Sequence, residues 1–241
     1  MTSLSGSQGA GSCLPSNAGA GLSPVVDAPA VAVLCDLIPV AGVVPLTTLD
    51  FPGRLALVVF TQGCVWHCPY CHNAGMRPRT APTAWCWRQV CELLDRRRGL
   101  LEAVVFSGGE PTLHPGLETA LRTVRAKGFL TGLHTAGIFP EHLQRLLPLL
   151  DWVGLDIKAP FDERYPRLTG DSRSAIKASA SLDLLLAAAN PFQLRTTVTD
   201  DLPGERIFEE VRAGLRHRGA PEPVRQSARS VSLHPASQTL L

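Results

Sequence analysis

No lysine or arginine precedes Arg54, and no apolar run approaches the roughly 20 residues that a membrane-spanning helix needs. A secretory signal begins with basic residues, so we expect neither a signal nor a membrane anchor. The chain also lacks a charge excess, since 23 basic and 21 acidic side chains leave a net charge of +2 over 241 residues. This balance favours neither nucleic acid nor a membrane surface as a partner. We therefore expect a cytoplasmic protein without nucleic-acid or membrane partners.

The seven cysteines are an odd number and are unevenly spread. Three of them fall within eight residues of the segment FTQGCVWHCPYCHN, residues 60–73. Such a distribution makes a poor disulfide framework and a good set of metal ligands. This distribution of cysteines indicates a protein of a reducing compartment.

This cysteine segment matches three known patterns. Cys68 and Cys71 form a dithiol motif, His72 extends it to a c-type haem attachment motif, and Cys64 extends it to a three-thiolate cradle. The haem interpretation conflicts with the expected absence of an export signal, and the dithiol interpretation leaves Cys64 without a role. Two metal sites remain open on the residues alone. One is an iron–sulfur cluster on three thiolates, and the other is a zinc ion with His67 or His72 as the fourth ligand.

Composition divides the chain into three parts. Residues 1–37 are rich in Gly, Ser and Ala and then interrupted by prolines, which predicts a disordered leader. Residues 38–215 carry the apolar runs of a folded domain. Residues 216–241 are rich in Pro, Ser and Ala and show no clear sixth strand and helix, so we expect an irregular tail.

Short apolar runs alternate with longer helical patterns within the central domain. The predicted strands are Leu55–Phe60, Ala103–Phe106, Leu130–His134, Trp152–Ile157 and Gln193–Val198, and the predicted helices are Thr83–Arg98, Leu117–Lys127, Glu141–Leu149 and Ala175–Ala189. Alternation of this kind predicts a parallel sheet with right-handed crossovers. About 200 residues accommodate five or six units, fewer than a closed eight-unit barrel needs. We therefore predict an α/β fold, an incomplete (β/α)6-type parallel barrel, with an open doubly wound sheet as the alternative.

Residues suited to ligand binding follow or end these predicted strands, where both architectures bind ligands. Two glycines after the second strand would let a ligand approach the backbone, and the carboxylate that follows them would suit an ammonium group. We expect these residues to converge on one ligand together with the cysteines. They are Gly108, Gly109, Glu110, Asp156, Lys158 and Arg195.

The Cys-x3-Cys-x2-Cys segment, with an aromatic residue before its last cysteine and with GGEP after the second strand, resembles the radical S-adenosylmethionine superfamily. The segments TTLDFPGRLALVVFTQGCVWHCPYCHN, VVFSGGEPTL, GLHTAGIFP, WVGLDIKAP, YPRLTG and LRTTV resemble more narrowly the glycyl-radical enzyme activases. Within these, the resemblance is to the activating protein of the anaerobic ribonucleoside-triphosphate reductase. It covers about residues 43–199.

The resemblance implies specific roles at the cysteine segment. Cys64, Cys68 and Cys71 would each bind one iron of a [4Fe-4S] cluster, and S-adenosylmethionine would chelate the fourth iron. Tyr70 would lie against the adenine ring of S-adenosylmethionine.

The resemblance also implies roles for the other loops. The loop from Gly108 to Glu110 would hold the methionine amino group. Asp156 and Lys158 match the DxK motif of the activases and would contact S-adenosylmethionine, and Arg195 would bind a carboxylate or ribose oxygen. Where many activases have Asp-Thr-Asn-Gly, whose Asp can help to bind a monovalent cation, this chain has His134 to Gly137.

The resemblance implies the reaction and the partners. Reductive cleavage of S-adenosylmethionine would give a 5'-deoxyadenosyl radical, which would generate a glycyl radical on a partner, with anaerobic ribonucleotide reductase as the first candidate. A flavodoxin or ferredoxin would supply the electron. The alternatives are a radical enzyme acting on a small molecule or an RNA base, and a non-catalytic iron–sulfur or zinc-binding protein.

Overall fold

The fold contains one seven-stranded sheet. The computed structural model describes residues 37–199 and 204–228. The strands follow each other in the sheet in chain order. The first pair is antiparallel and the five later pairs are parallel. The strands are β1 (Val40–Thr47), β2 (Ala56–Thr61), β3 (Ala103–Gly108), β4 (Leu130–Thr135), β5 (Trp152–Asp156), β6 (Phe192–Val198) and β7 (Val224–Ser227).

Helices connect the parallel strands. They are α1 (Trp87–Arg96), α2 (Leu117–Ala126), α3 (Pro140–Leu146), α4 (Arg164–Thr169), α5 (Ser174–Ala187) and α6 (Glu205–His217), with short 3-10 turns at Ala74–Met76, Pro111–Leu113 and Leu147–Leu149. Among the residues described, none of these helices has the length and apolarity to cross a membrane. Parallel neighbours in chain order require every connection to cross the same face of the sheet. Strands β1 and β7 do not pair within the described ranges, so this sheet is not closed. The predicted incomplete α/β barrel is confirmed.

Both faces of the central strands β2 to β5 are buried, which explains why these strands are continuous apolar runs. Alternate residues of β2 and β3 point to opposite faces, so that Val59 and Phe106 join the large core shared with the helices. Val58 and Val105 join a smaller inner core together with the side chain of Phe51. This inner core also holds the first residues of β2, β3 and β5, and it therefore fills the end of the barrel at which the parallel strands begin.

All five predicted strands are present with ends shifted by at most two residues. The first predicted helix is shorter than expected and begins at Trp87 instead of Thr83. The residues expected to form its first turn are not helical, because the backbone of Trp85 pairs with Val40 of β1. The helix predicted over Glu141–Leu149 ends at Leu146 and continues as a 3-10 turn that contains a proline.

The ends of the domain differ most from expectation. The expectation of no clear strand after residue 215 is wrong, because α6 continues to His217 and β7 pairs in parallel with β6. The sequence gives little sign of β7 because all four of its residues, VRQS, are exposed at the sheet edge. The antiparallel strand β1 and the helices α4 and α6 were also not predicted. The proposed leader, up to residue 36, and the end of the proposed tail, from residue 229, lie outside the described residues.

We predict that Phe51→Ala lowers the free energy of unfolding by about 3–5 kcal/mol, because it leaves a cavity beneath Trp152, whose ring centroid lies 5.6 Å from that of Phe51. Leu49→Ala is the matched control, since Leu49 is 89% exposed two residues away, and it should change stability by less than about 0.5 kcal/mol. Urea unfolding of both variants measures the difference. Equal stabilities would contradict the assignment of Phe51 to an inner core.

Candidate functional site

A cavity of about 710 Å³ lies at the ends of the parallel strands where the expected ligand residues converge. Its lining includes nine of the ten residues singled out from the sequence. They are Cys64, Cys68, Tyr70, Cys71, Gly108, Gly109, Asp156, Lys158 and Arg195. The tenth, Glu110, does not line the cavity. A volume of this size suits a small-molecule ligand or cofactor.

The cysteine loop is closed at its base by short hydrogen bonds. The N–H of Gly63 donates to the carbonyl of Met76 at 2.7 Å. The buried amide of Gln62 donates from Nε2 to the carbonyls of Gly75, at 3.2 Å, and Pro78, at 2.6 Å. These contacts bring together the two ends of the segment that carries the three cysteines.

The three thiols are partly or fully buried around this loop. Burial raises the pKa of Cys64 to about 12, and the nearby carboxylate of Glu110 adds to the increase. Burial also raises the pKa of Cys68. Both groups are therefore protonated at neutral pH in the metal-free protein and must release their protons to bind iron.

The spread of the thiols bears on the choice between one zinc ion and a cluster. Within residues 37–199 and 204–228, no three His, Cys, Asp or Glu side chains are grouped to hold a single metal ion. A tetrahedral zinc site needs its ligands to converge on one point about 2.0–2.3 Å from each. Three thiolates that bind different irons of one cluster need no such convergence. The three-cysteine loop is compatible with such a cluster.

The glycines after β3 are needed for the contact between two protein loops. A Cβ on Gly109 would lie 2.2 Å from the carbonyl oxygen of Gly63, and a Cβ on Gly108 would lie 2.4 Å from the nitrogen of Thr61. Gly108 also has a φ of +113°, which disfavours other residues. The sequence suggested that these glycines admit a ligand. The structure shows that they make room for the backbone of the cysteine loop.

Glu110 supports the rim of the cavity. Its carboxylate is 1% exposed and accepts hydrogen bonds from the hydroxyl of Thr112 at 2.6 Å, the hydroxyl of Thr135 at 2.7 Å and the N–H of Ala136 at 3.0 Å. Burial raises the pKa of Glu110, although these hydrogen bonds oppose the increase. The contact of Glu110 with a ligand's amino group stays a prediction. The carboxylate ties the β3 loop to the end of β4.

Three charged side chains form a connected group in the cavity wall. Arg195 donates from Nε to Oδ1 of Asp156 at 2.8 Å, and Nζ of Lys158 lies 3.6 Å from Oδ2 of Asp156. Burial raises the pKa of Asp156, but the positive charges of Arg195 and Lys158 outweigh it and hold that pKa below its usual value. Burial alone would lower the pKa of Lys158, yet the Asp156 carboxylate raises it well above its usual value. Asp156 and Lys158 are therefore both charged at neutral pH.

Two features of the wall suit a bound ligand. The hydroxyl of Tyr70 is buried without a hydrogen-bond partner among the described residues, although its ring lines the cavity. Gly154 provides room for the guanidinium of Arg195, because a Cβ there would lie 3.0 Å from Cζ of that arginine. A buried donor without a partner is costly unless a ligand satisfies it.

Sequence reasoning missed Asp50, which lines the cavity. Its carbonyl accepts a hydrogen bond from Nε2 of His134 at 3.0 Å. Burial and the charge of Arg195 lower the pKa of His134 to about 3, so this imidazole is neutral. The position of Asp50 depends on the turn between β1 and β2. Because β1 was not predicted, nothing in the pattern placed this turn beside the cavity.

Comparison with protein families matches residues 58–214 to the Radical SAM superfamily. The chain belongs to the radical SAM superfamily. Membership implies a [4Fe-4S] cluster and S-adenosylmethionine as cofactors, which confirms the cofactors predicted from the sequence. The cysteine loop, the buried Tyr70 hydroxyl and the charged group fit such a pair of cofactors.

Two curated relatives are glycyl-radical activases by name. A protein of Methanocaldococcus jannaschii, named as a candidate glycyl-radical enzyme activating enzyme, is 33% identical over 192 residues, which cover 71% of this chain and 73% of that protein. The pyruvate formate-lyase-activating enzyme of Staphylococcus aureus is 33% identical over 147 residues, covering 54% of this chain. The match spans 57% of the length of that enzyme. The resemblance to radical SAM glycyl-radical activases is confirmed.

Solved structures agree on the fold. The structure of anSMEcpe with bound AdoMet superposes with a TM-score of 0.56 at 17% identity, covering 74% of this chain and 52% of that one. At this identity the likeness supports the shared fold alone.

We predict that Gly109→Ala destabilises the protein by about 1–3 kcal/mol, because the added methyl group overlaps the carbonyl of Gly63. Gly214→Ala is the matched control, since it lies in α6 and a Cβ added there would meet nothing within 4 Å. Alanine favours a helix over glycine, so the control should be neutral or stabilising. Thermal unfolding compares the two variants. An unchanged Gly109→Ala protein would contradict the close loop contact.

Proposed function

We propose that this radical SAM protein generates a glycyl radical on a partner enzyme, most specifically the anaerobic ribonucleoside-triphosphate reductase. The observation that carries the proposal is the cavity, in which the three-cysteine loop faces the Asp156–Lys158–Arg195 group. The activases among the relatives support the general reaction. The choice of reductase rests on the longer sequence segments that resemble its activating protein.

We assign the cluster ligands to Cys64, Cys68 and Cys71. Three thiolates leave one iron of a [4Fe-4S] cluster without a protein ligand, and this vertex suits the amino and carboxylate groups of S-adenosylmethionine. When bound, the two cofactors supply one-electron cleavage of the sulfonium and a 5'-deoxyadenosyl radical that takes a hydrogen atom from a glycine Cα. Burial raises the pKa of the Cys64 and Cys68 thiols, so cluster binding releases protons.

The remaining side chains orient the nucleoside and the methionine group. Arg195 and Lys158 offer positive charge to the methionine carboxylate or to ribose oxygens, and Asp156 offers negative charge to the ammonium group. The ring and hydroxyl of Tyr70 suit the adenine, which has both an apolar face and hydrogen-bonding edges. Gly108 and Gly109 present backbone in the same wall.

The partner's glycine reaches the cavity from the open side of the barrel. The lining includes Val44 of β1 and residues 226–228 at the end of β7, which belong to the two strands at the margins of the described sheet. A polypeptide loop can enter between these margins without disrupting a strand pair. A flavodoxin or ferredoxin supplies the electron, and a reducing cytoplasm suits a cluster on three thiolates.

We predict that the protein, reconstituted without oxygen and then reduced with dithionite, gives the signal of a reduced [4Fe-4S] cluster by electron paramagnetic resonance and cleaves added S-adenosylmethionine to methionine and 5'-deoxyadenosine. Cys68→Ala should abolish both, because it removes an iron ligand. Cys91→Ala is the control, since this thiol lies on α1 outside the cavity, and it should retain both. With reduced reconstituted protein, anaerobic ribonucleotide reductase should develop a glycine-centred doublet.

The alternatives give different results in the same assays. Cleavage of S-adenosylmethionine without a doublet on any glycyl-radical enzyme would contradict the proposed partner class and favour a small-molecule or RNA substrate. Metal binding without cleavage would contradict the enzymatic proposal altogether. A doublet on pyruvate formate-lyase and none on the ribonucleotide reductase would overturn only the choice of partner.

A further inference from the structure

The segment YPRLTG, together with the aspartate that follows it, has no role in the site described so far. It forms α4 and the turn after it, and Gly170 ends the helix in the left-handed conformation with a φ of +76°. This turn lies against the cysteine loop, although about a hundred residues separate the two in the chain. The contact between them supports a specific function for Asp171.

Trp66 makes the principal contact from the cysteine loop. Its side chain is 1% exposed and lies between Cys64 and Cys68 in the sequence. The indole N–H donates to Oδ2 of Asp171 at 3.1 Å, and the ring meets Tyr165 of α4 edge-on at 5.8 Å. The indole is therefore fixed by both a hydrogen bond and an aromatic contact.

A backbone contact reinforces this side-chain contact. The N–H of His67 donates to the carbonyl of Thr169 at 2.8 Å. Between Val65 and Tyr70, these two bonds are the hydrogen bonds that join the loop to other elements of the described structure. The central part of the loop is thus held from the α4 turn, whereas its base is held by Gln62.

Asp171 is itself held in place from the opposite side. Its Oδ1 accepts the N–H of Arg173 at 2.9 Å, and its Oδ2 also accepts Nζ of Lys177 at 2.7 Å. Both partners belong to the start of α5. The carboxylate therefore links a rigid helix to the indole of Trp66, and a hydrogen bond to a charged group is stronger than one between neutral groups.

We propose that Asp171 is a positioning residue that fixes, through Trp66, the segment between the first two cluster-ligating cysteines. The inference rests on the proposed ligation by Cys64 and Cys68. A loop held in its binding conformation retains its cluster longer, because the ligands have less freedom to move away from the irons. It also fixes the orientation of the cluster toward the cavity. Asp171 touches no reacting atom in this scheme.

The test compares four variants of the reconstituted protein: Trp66→Phe, Asp171→Ala, their double variant and Lys177→Gln. Trp66→Phe keeps an aromatic ring against Tyr165 and removes the indole N–H. Lys177→Gln removes the ion pair but leaves Oδ2 of Asp171 free to accept from Trp66. The measurements are the rate of iron release to a chelator without oxygen, and the electron paramagnetic resonance spectrum of the reduced cluster before and after S-adenosylmethionine is added.

We expect Trp66→Phe and Asp171→Ala each to release iron about tenfold faster, the scale of one hydrogen bond to a charged group. The double variant should release it no faster than the single variants, because both remove the same interaction. Both single variants should also change the spectrum obtained with S-adenosylmethionine. Lys177→Gln should have a smaller effect than Asp171→Ala on rate and spectrum, because the N–H of Arg173 still holds Asp171 in place.

Wild-type release rates and spectra in Trp66→Phe would overturn the inference, as would additive effects in the double variant. If Lys177→Gln and Asp171→Ala change the iron release rate and the spectrum equally, the contact of Asp171 with the start of α5 accounts for the effect and its contact with the indole does not. That result also overturns the inference. A wild-type protein that takes up no cluster would refute the proposed function, and this inference with it. The first three results leave the proposed function intact.

Discussion

The contact between the loops after β2 and β3 is the constraint on which the site depends. The carbonyl of Gly63 accepts the N–H of Glu110 at 2.9 Å, and this approach is possible because Gly109 has no side chain. From this contact Glu110 extends to the end of β4, and Asn73 donates from Nδ2 to the carbonyl of Gly108 at 3.2 Å. One backbone approach therefore aligns the cysteine loop with two further strands.

The charged side chains in the cavity wall form one connected group. Arg195 and Lys158 flank Asp156, so that a partly buried part of the wall contains two positive charges and one negative charge. A carboxylate on a ligand would match the one excess positive charge of this group. The neutral His134 beside it adds hydrogen-bonding capacity without another charge.

The sequence predicted those parts whose signals are local. Apolar runs identified β2 to β6 because these strands are covered on both faces, and the cysteine spacing identified the loop. The exposed strand β7 carries no apolar pattern, and the first turn of α1 was overestimated because pairing of Trp85 with β1 is a tertiary contact. The contacts of Glu110 were not predicted for the same reason, because they are tertiary contacts. Its position after two glycines was visible, but the donors that enclose it come from β4 and from Thr112.

The inner core around Phe51 gives the barrel a closed lower end in the part of the chain that the structure describes. The cavity is therefore blocked at this end and, in the described ranges, opens toward the strand ends and between the unpaired margins β1 and β7. A small molecule bound against the floor has to leave past these margins, so a larger partner seated there would retain it until that partner withdrew.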